Sequence, residues 1–427
     1  MNIIKSAAAL VALTVSGGAI AATPQQALED ASRYTVQIFR FSKIGLNADD
    51  GASSKGTGFL IDQKRGWILT NAHVASRSPA KVQVEFKVGG TLDAKRIYVD
   101  HYLDMAVLAV DPNELPKGAI SANLDCANFP KVGTPVAIFG NPSDFRFVAS
   151  RGIISGMPWL SQREHVQSDA AINSGNSGGP LIDLETGKIV GLAAESYKDD
   201  DDNATVVALS VPMPSVCTVL GLLKNNQDAN LRMLPAAIAT RPRDERPIIA
   251  LTDDPKSPLL PGDVILSVDG SQALRNPADL YDRLRGKPGT VKLAIERAGK
   301  VIGVDTPVRA MAPLLKSKSL DLSGMVISEP WRLDQRFSGN RGYLVVDFIM
   351  PDTPAENVEV AMSSVIVSVD GQAFSNLQDL HSYLSNKEKG SEVELVIKAQ
   401  SDDSRFHNSF RVVRLSSDDL KWIDADT

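Results

Sequence analysis

A chain of 427 residues is too long for one ordinary core, so two to four domains are expected. Its 43% hydrophobic and 22% charged residues mark it as globular rather than disordered. A net charge of −6 without a basic block gives no reason to expect a nucleic-acid partner.

The first residues read as a secretory signal peptide, 1–21. Lys5 supplies a positive start, Ala7 to Val15 a short apolar run, and Ala19-Ile20-Ala21 a small-x-small cleavage site. A membrane anchor fits less well. The run is short of the roughly 20 residues that span a bilayer, and Gly17-Gly18 interrupts it. Only Cys126 and Cys217 follow. An exported compartment permits a disulfide, but spacing alone cannot bring two Cα atoms within bonding range, so two separate thiols stay open.

From Arg33 to Leu209, short apolar runs alternate with Gly, Pro and Asp turns, which predicts an all-β barrel or sandwich. Ser215–Lys224 reads as a closing helix, with Val216, Val219, Leu220 and Leu223 on its apolar side. Asn225–Asn230 is polar and reads as linker. An internal repeat follows. Val264-Ile265-Leu266-Ser267-Val268-Asp269-Gly270 is echoed by Val365-Ile366-Val367-Ser368-Val369-Asp370-Gly371. A helix and a further strand succeed each copy, so the repeat describes two copies of one small domain rather than a solenoid.

The chemistry centres on Asn173-Ser174-Gly175-Asn176-Ser177-Gly178-Gly179-Pro180. A serine framed by glycines on a tight turn can aim its hydroxyl, and nearby N–H groups, at one carbonyl. A serine nucleophile needs a base and an orienting acid. His73, in Leu69-Thr70-Asn71-Ala72-His73-Val74, lies in the same β region. Asp104 leads into the apolar run Met105-Ala106-Val107-Leu108, where a carboxylate is costly to bury unless paired. His101 is the rival base; His165 sits on what reads as a polar turn, and His381 and His407 lie in the repeat.

Thr70-Asn71-Ala72-His73-Val74, Asp104-Met105-Ala106-Val107-Leu108 and Gly175-Asn176-Ser177-Gly178-Gly179-Pro180 resemble the three catalytic motifs of the HtrA/Deg family of trypsin-like serine proteases. Gly56-Thr57-Gly58-Phe59, Gly140-Asn141-Pro142 and Gln167–Asn173 are similar to further strand and turn segments of that family. The resemblance covers the mature chain. It implies an all-β double barrel of the chymotrypsin type followed by two small α+β PDZ-like domains. The expected divisions are a protease domain at 22–224, a linker at 225–232, a trimmed PDZ-like domain at 233–313, a divergent one at 318–416 and a C-terminal tail at 417–427.

The resemblance also implies roles: Ser177 as nucleophile, His73 as base, Asp104 as orienting acid, and the N–H groups of Gly175, Asn176 and Ser177 as oxyanion hole. Leu192, Ala193 and Ala194 are expected to wall the primary pocket, favouring small or medium aliphatic residues before the scissile bond. No cofactor or metal is expected; Asp199–Asp202 lacks the alternating ligands and glycine of a calcium loop. Implied partners are unfolded or damaged polypeptides, peptide ligands of the PDZ-like domains, and further copies of the chain, three by family analogy. The implied place is the periplasm, or the exterior where no outer membrane exists.

Three features depart from the family. Met157–Val166 is short where a longer regulatory loop is usual. Met233-Leu234-Pro235-Ala236 has a proline and no glycine where a carboxylate-binding loop belongs. Pro261-Gly262-Asp263 of the first repeat becomes Met362-Ser363-Ser364 in the second. There, Leu322-Ser323-Gly324-Met325 is the candidate site of strand addition. A holdase or scaffold with minor proteolysis, and a narrow processing protease, remain alternatives.

Overall fold

The computed structural model describes residues 23–46, 52–160, 163–197, 207–241, 244–252, 254–311, 313–329, 343–398 and 409–425. The expected signal peptide and the acidic run Asp199–Asp202 lie outside them. Helix α1 (Pro24–Tyr34) is capped by Thr23, whose hydroxyl accepts the Gln26 N–H, and begins with a proline that needs no partner there. It buries Ala27, Ala31 and Tyr34, which share one face, against the first barrel.

That barrel comprises β1 (Thr35–Ser42), β2 (Ala52–Asp62), β3 (Trp67–Thr70), β4 (Ala80–Phe86), β5 (Thr91–Asp100) and β6 (Met105–Ala109), ordered β1-β2-β3-β6-β5-β4. Helix α2 (Ala72–Ala75) follows β3. Ile38 of β1 pairs with Gly56 on one side and Val84 on the other, closing the ring. Alternation turns Val82, Val84 and Phe86 inward. Gly56 and Gly58 lie on one face of β2. A Cβ at Gly56 would come within 2.5 Å of the Val74 side chain, and one at Gly58 within 2.8 Å of Ile38. Both positions need glycine, and Thr57 between them points the opposite way.

The second barrel comprises β7 (Pro135–Gly140), β8 (Val148–Gly156), then, after the small hairpin of β9 (Trp159–Leu160) and β10 (Arg163–Glu164), β11 (Val166–Ser168), β12 (Pro180–Asp183), β13 (Ile189–Tyr197) and β14 (Val207–Pro212). Its order is β11-β14-β13-β12-β7-β8, again closed. This is the expected double barrel. Helix α3 (Met213–Lys224) buries Met213, Val216, Val219 and Leu220 in a core shared by both barrels. Cys217 on α3 is bonded to Cys126, with Cα atoms 5.5 Å apart, so the disulfide alternative holds.

The repeats follow. In the first, β15 (Arg232–Met233) meets β21 (Arg309–Ala310) beside a sheet of β16 (Ala236–Thr240), β17 (Pro247–Thr252), β18 (Val264–Val268), β19 (Thr290–Arg297) and β20 (Lys300–Pro307), with helix α4 (Pro277–Leu284). The second contains β22 (Lys318–Leu322), β23 (Met325–Ser328), β24 (Leu344–Ile349), β25 (Val365–Val369), helix α5 (Leu377–Ser385), β26 (Glu392–Lys398), β27 (Phe410–Ser416) and β28 (Leu420–Asp424). The repeat extends to its caps: Asn276 and Asn376 each accept an Asp N–H, from Asp279 and Asp379.

Three expectations change here. Within the expected tail 417–427, residues 420–424 form a strand, because β28 pairs along the whole of β22, from Lys318↔Asp424 to Leu322↔Leu420. The segment 225–232 is pinned rather than solvated: the Ala229 carbonyl accepts from Tyr98 Oη at 2.8 Å and Arg285 Nη1 at 2.9 Å. The Leu322–Met325 loop is already filled. β22 occupies the edge of β23, the Gly324 N–H donates to Asp321 Oδ1 at 2.7 Å, and the Ser323 N–H donates to the Asp419 carbonyl at 2.8 Å.

Buried charges join both repeats to the barrels. Arg285 of α4 meets Asp100 of β5 at 2.6 Å, and Arg77 meets Asp347 of β24 at 2.6 Å. Beside the first pair, Asp282 accepts from Ser215 Oγ at 2.8 Å, and burial pushes its carboxyl up to about 6.

Reducing the Cys126–Cys217 bridge, whose ends are 91 residues apart, should cost about 2–4 kcal/mol, read as a lower urea midpoint with dithiothreitol than without. Asp282 holds its proton more tightly folded than unfolded, so its contribution is full below about pH 4 and lost as pH rises through about 6. Between those values wild type should lose up to about 3 kcal/mol relative to Asp282→Asn, measured by urea unfolding at each pH.

Candidate active site

β3 ends at Thr70, and Asn71 caps α2, which presents His73. Asp104 enters β6 with a left-handed backbone, φ 52°, and Asn71 Nδ2 holds its carbonyl at 2.8 Å. The Asp104 carboxylate then takes two groups of His73. The backbone N–H reaches Oδ1 at 3.1 Å, and Nδ1 lies 3.0 Å from Oδ1 and 2.9 Å from Oδ2. A carboxylate so placed makes Nδ1 the donor, which leaves the lone pair of the neutral ring on Nε2. The His73 side chain is 47% exposed and that of Asp104 17%, so the imidazole faces the cleft and the carboxylate is shielded.

The serine turn needs its glycines. Gly175 has φ +98° and Gly178 φ +86°, and a Cβ on Gly178 would collide with the Thr57 carbonyl and the Thr70 hydroxyl. The Asn176 N–H donates to the Asn173 carbonyl at 3.0 Å. That corrects its expected place in the oxyanion hole, since its proton is engaged inside the turn. The N–H groups of Gly175 and Ser177 have no hydrogen-bond partner among the described residues, and they are the two left for an oxyanion. Ser177 Oγ donates to the Ala194 carbonyl at 2.9 Å. A bulge in β13, between Ala193 and Glu195, takes that carbonyl out of the ladder with β14 and frees it to accept.

His73, Asp104 and Ser177 line one cleft of about 560 Å³, together with Ile172, Asn173 and Ala194. Leu192 and Ala193 do not line it. Both are fully buried, Leu192 in the core shared by the barrels and Ala193 in that of the second barrel. Of the three expected pocket residues only Ala194 faces the cleft, because the bulge turns it out of the strand's alternation.

Sequence reasoning missed Ile172, Asn173 and Arg163 as lining groups. The first two stand just before Ser174-Gly175, where a turn that exposes Ser177 must also expose its approach. His101 lines the same cleft, but the Asp104 carboxylate binds His73. His165, expected on a polar turn, is 2% exposed. Burial lowers its pKa to about 4, and its Nε2 lies 3.7 Å from Glu195 Oε1. The short β9–β10 hairpin carries Arg163 to the cleft and Glu164 to the first repeat, where Arg275 Nη2 meets Glu164 Oε2 at 3.3 Å.

Comparison with known proteins agrees with this construction. A family model described as a trypsin-like peptidase domain matches residues 56–192, and one described as a PDZ domain matches residues 332–407. Periplasmic serine endoprotease DegP of Salmonella typhimurium (strain LT2) is 24% identical, over 88% of this chain and 85% of its own length. A probable periplasmic serine endoprotease, DegP-like, of Pseudomonas fulva (strain 12-X) is 29% identical, over 82% of this chain and 77% of its own. The solved HtrA-type protease AlgW with tripeptide shares the fold, with a TM-score of 0.55 at 22% identity, over 68% of this chain and 98% of that one. Two closed barrels holding a trypsin-like peptidase domain, with a PDZ domain behind them and DegP proteins as relatives, make this chain a serine endopeptidase similar to the DegP proteases.

Proposed function

We propose that this protein is an exported, ATP-independent endopeptidase that cleaves unfolded or damaged proteins in the periplasm. The observation that carries the catalytic part is the His73 ring, pinned through Nδ1 to Asp104 in the cleft that holds Ser177. Ser177 attacks the peptide carbonyl while His73 Nε2 takes its proton. The imidazolium that forms is stabilised by Asp104 and returns the proton to the leaving amine. The N–H groups of Gly175 and Ser177 receive the oxyanion. Water, activated by the same histidine, then hydrolyses the acyl-enzyme.

The relatives' names, which call them periplasmic, support the location. Ile172 and Ala194 in the cleft support a preference for small or medium aliphatic residues before the scissile bond. Assembly into trimers rests on family analogy. A holdase with minor proteolysis is a second reading, favoured by one observation: the Ser177 hydroxyl is engaged by Ala194 rather than by His73.

Ser177→Ala should lower casein degradation by roughly 10⁴-fold or more while leaving the thermal midpoint unchanged. A fluorophosphonate should label Ser177 in wild type and fail to label the His73→Ala protein. Intact casein and an unlabelled wild-type Ser177 would transfer support to the holdase reading.

A further inference from the structure

The two N–H groups left for an oxyanion are aimed by what holds the carbonyls of their own peptides. A trans peptide keeps C=O and N–H on opposite sides, so fixing one directs the other. The Ser174 carbonyl accepts from the Ser143 N–H at 2.9 Å, which turns the Gly175 N–H the other way. The Asn176 carbonyl accepts from the Gly179 N–H at 2.9 Å, which does the same for the Ser177 N–H. Between these peptides, the Gly175 carbonyl is held from the opposite barrel, by Thr57 Oγ1 at 2.7 Å.

Thr57 is fully buried, and its hydroxyl has one proton to give. Both acceptor positions on that oxygen face Asn141, whose backbone N–H lies at 3.0 Å and Nδ2 at 3.2 Å. The proton therefore has one place to go, the Gly175 carbonyl. Asn141 is fixed in turn. Its Nδ2 donates to the Val36 carbonyl at 3.2 Å, and its Oδ1 accepts the Phe147 N–H at 3.0 Å, which anchors the loop that carries Ser143. The glycines on either side of Thr57 give it no choice of face, because neither can carry a side chain inside the first barrel.

We infer that Thr57 is a positioning residue for the oxyanion hole: its hydroxyl, directed by Asn141, fixes from across the barrel seam the Gly175–Asn176 peptide that joins the two donor peptides, and so keeps the Gly175 and Ser177 N–H groups in place relative to each other. This rests on the endopeptidase mechanism proposed above. Thr57 touches no reacting atom. Its effect should appear in the transition state, where the oxyanion forms, and hardly at all in ground-state binding.

The test uses the full-length protein and a peptide p-nitroanilide that wild type cleaves. Thr57→Val keeps the shape and removes the proton; kcat should fall about 100-fold with KM changed less than about threefold. The Ki of the matching peptide aldehyde, whose hemiacetal oxygen uses the same two donors, should rise in parallel. Thr57→Ser restores the hydroxyl and should recover kcat to within about fivefold of wild type. If Thr57→Val gives no cooperative melting transition, Thr57→Ala removes the same proton without adding a methyl group and is read in its place. A kcat near wild type, a loss confined to KM, an unchanged aldehyde Ki, or no recovery with serine overturns the inference. Ser177→Ala is assayed alongside. Should it cleave the substrate as wild type does, the proposed mechanism itself falls; an inactive Ser177→Ala beside a fully active Thr57→Val removes the inference alone.

Discussion

The bond from the Thr57 N–H to the Ser177 carbonyl, 2.9 Å long, is where the two barrels meet at the nucleophile. His73 and Asp104 come from the first barrel and Ser177 from the second, so the proposed mechanism requires that the seam between them keep its geometry. One backbone hydrogen bond contributes about 1 kcal/mol net. It holds because it is not alone. Val36, Phe59 and Ile68 of the first barrel share one core with Ala137, Phe139, Ile182 and Leu192 of the second. Shearing the seam would open cavities in that core, each costing several kcal/mol. The burial of Leu192, which removes it from the pocket, is part of what keeps Ser177 opposite His73.

The repeats are attached on a different principle. Arg285–Asp100 and Arg77–Asp347 are almost wholly buried, with no side chain in either pair more than 3% exposed. Pairs of this kind add little net stability over apolar residues of the same size, since desolvation offsets the attraction. They act strongly against error. A docking that buried Arg77 away from Asp347 would separate a buried ion pair and cost about 3–5 kcal/mol. Such contacts select one arrangement of barrel and repeat more than they strengthen it. β28 adds to that arrangement by carrying Ala425 to Arg96, whose Nη2 donates to its carbonyl at 2.6 Å. In the second repeat, the edge at β23 and the loop before it are used internally, so a peptide could add there only by displacing β22.

Much of this was legible in the sequence. The histidine, aspartate and serine motifs are local: each is a strand end plus a turn, and their residue types follow from the chemistry. The repeat was visible because Val-Asp-Gly turns force positive φ at Asp269 and Asp370 in both copies, 49° and 48°. What escaped depends on a partner far along the chain or on local backbone geometry. β28 is a strand because Lys318–Leu322 offers an edge roughly a hundred residues earlier. His165 is buried because a two-strand hairpin folds its neighbours over it. Asn176 leaves the oxyanion hole because of the direction in which one peptide plane faces, and composition carries no sign of that. Leu192 and Ala193 exchange places with Ala194 through a single bulge in β13, which alternation alone cannot place.

The bond from Ser177 Oγ to the Ala194 carbonyl bears on how much separates this arrangement from a reacting one. Two different changes could be needed in such an enzyme. One is a rearrangement of the turn, with peptide planes flipping against their hydrogen bonds. The other is a rotation of one side chain. Here the Ser174 and Asn176 carbonyls are already tied on the side away from the Gly175 and Ser177 N–H groups, so the planes need not turn. What the proposed mechanism then asks of Ser177 is that its hydroxyl exchange the Ala194 carbonyl for the His73 ring, which lines the same cleft. Each bond contributes about 1 kcal/mol net, so the exchange is close to neutral. In the proposed mechanism the donors are therefore set before the hydroxyl turns, and what holds the turn that carries them is the seam at Thr57 and Asn141.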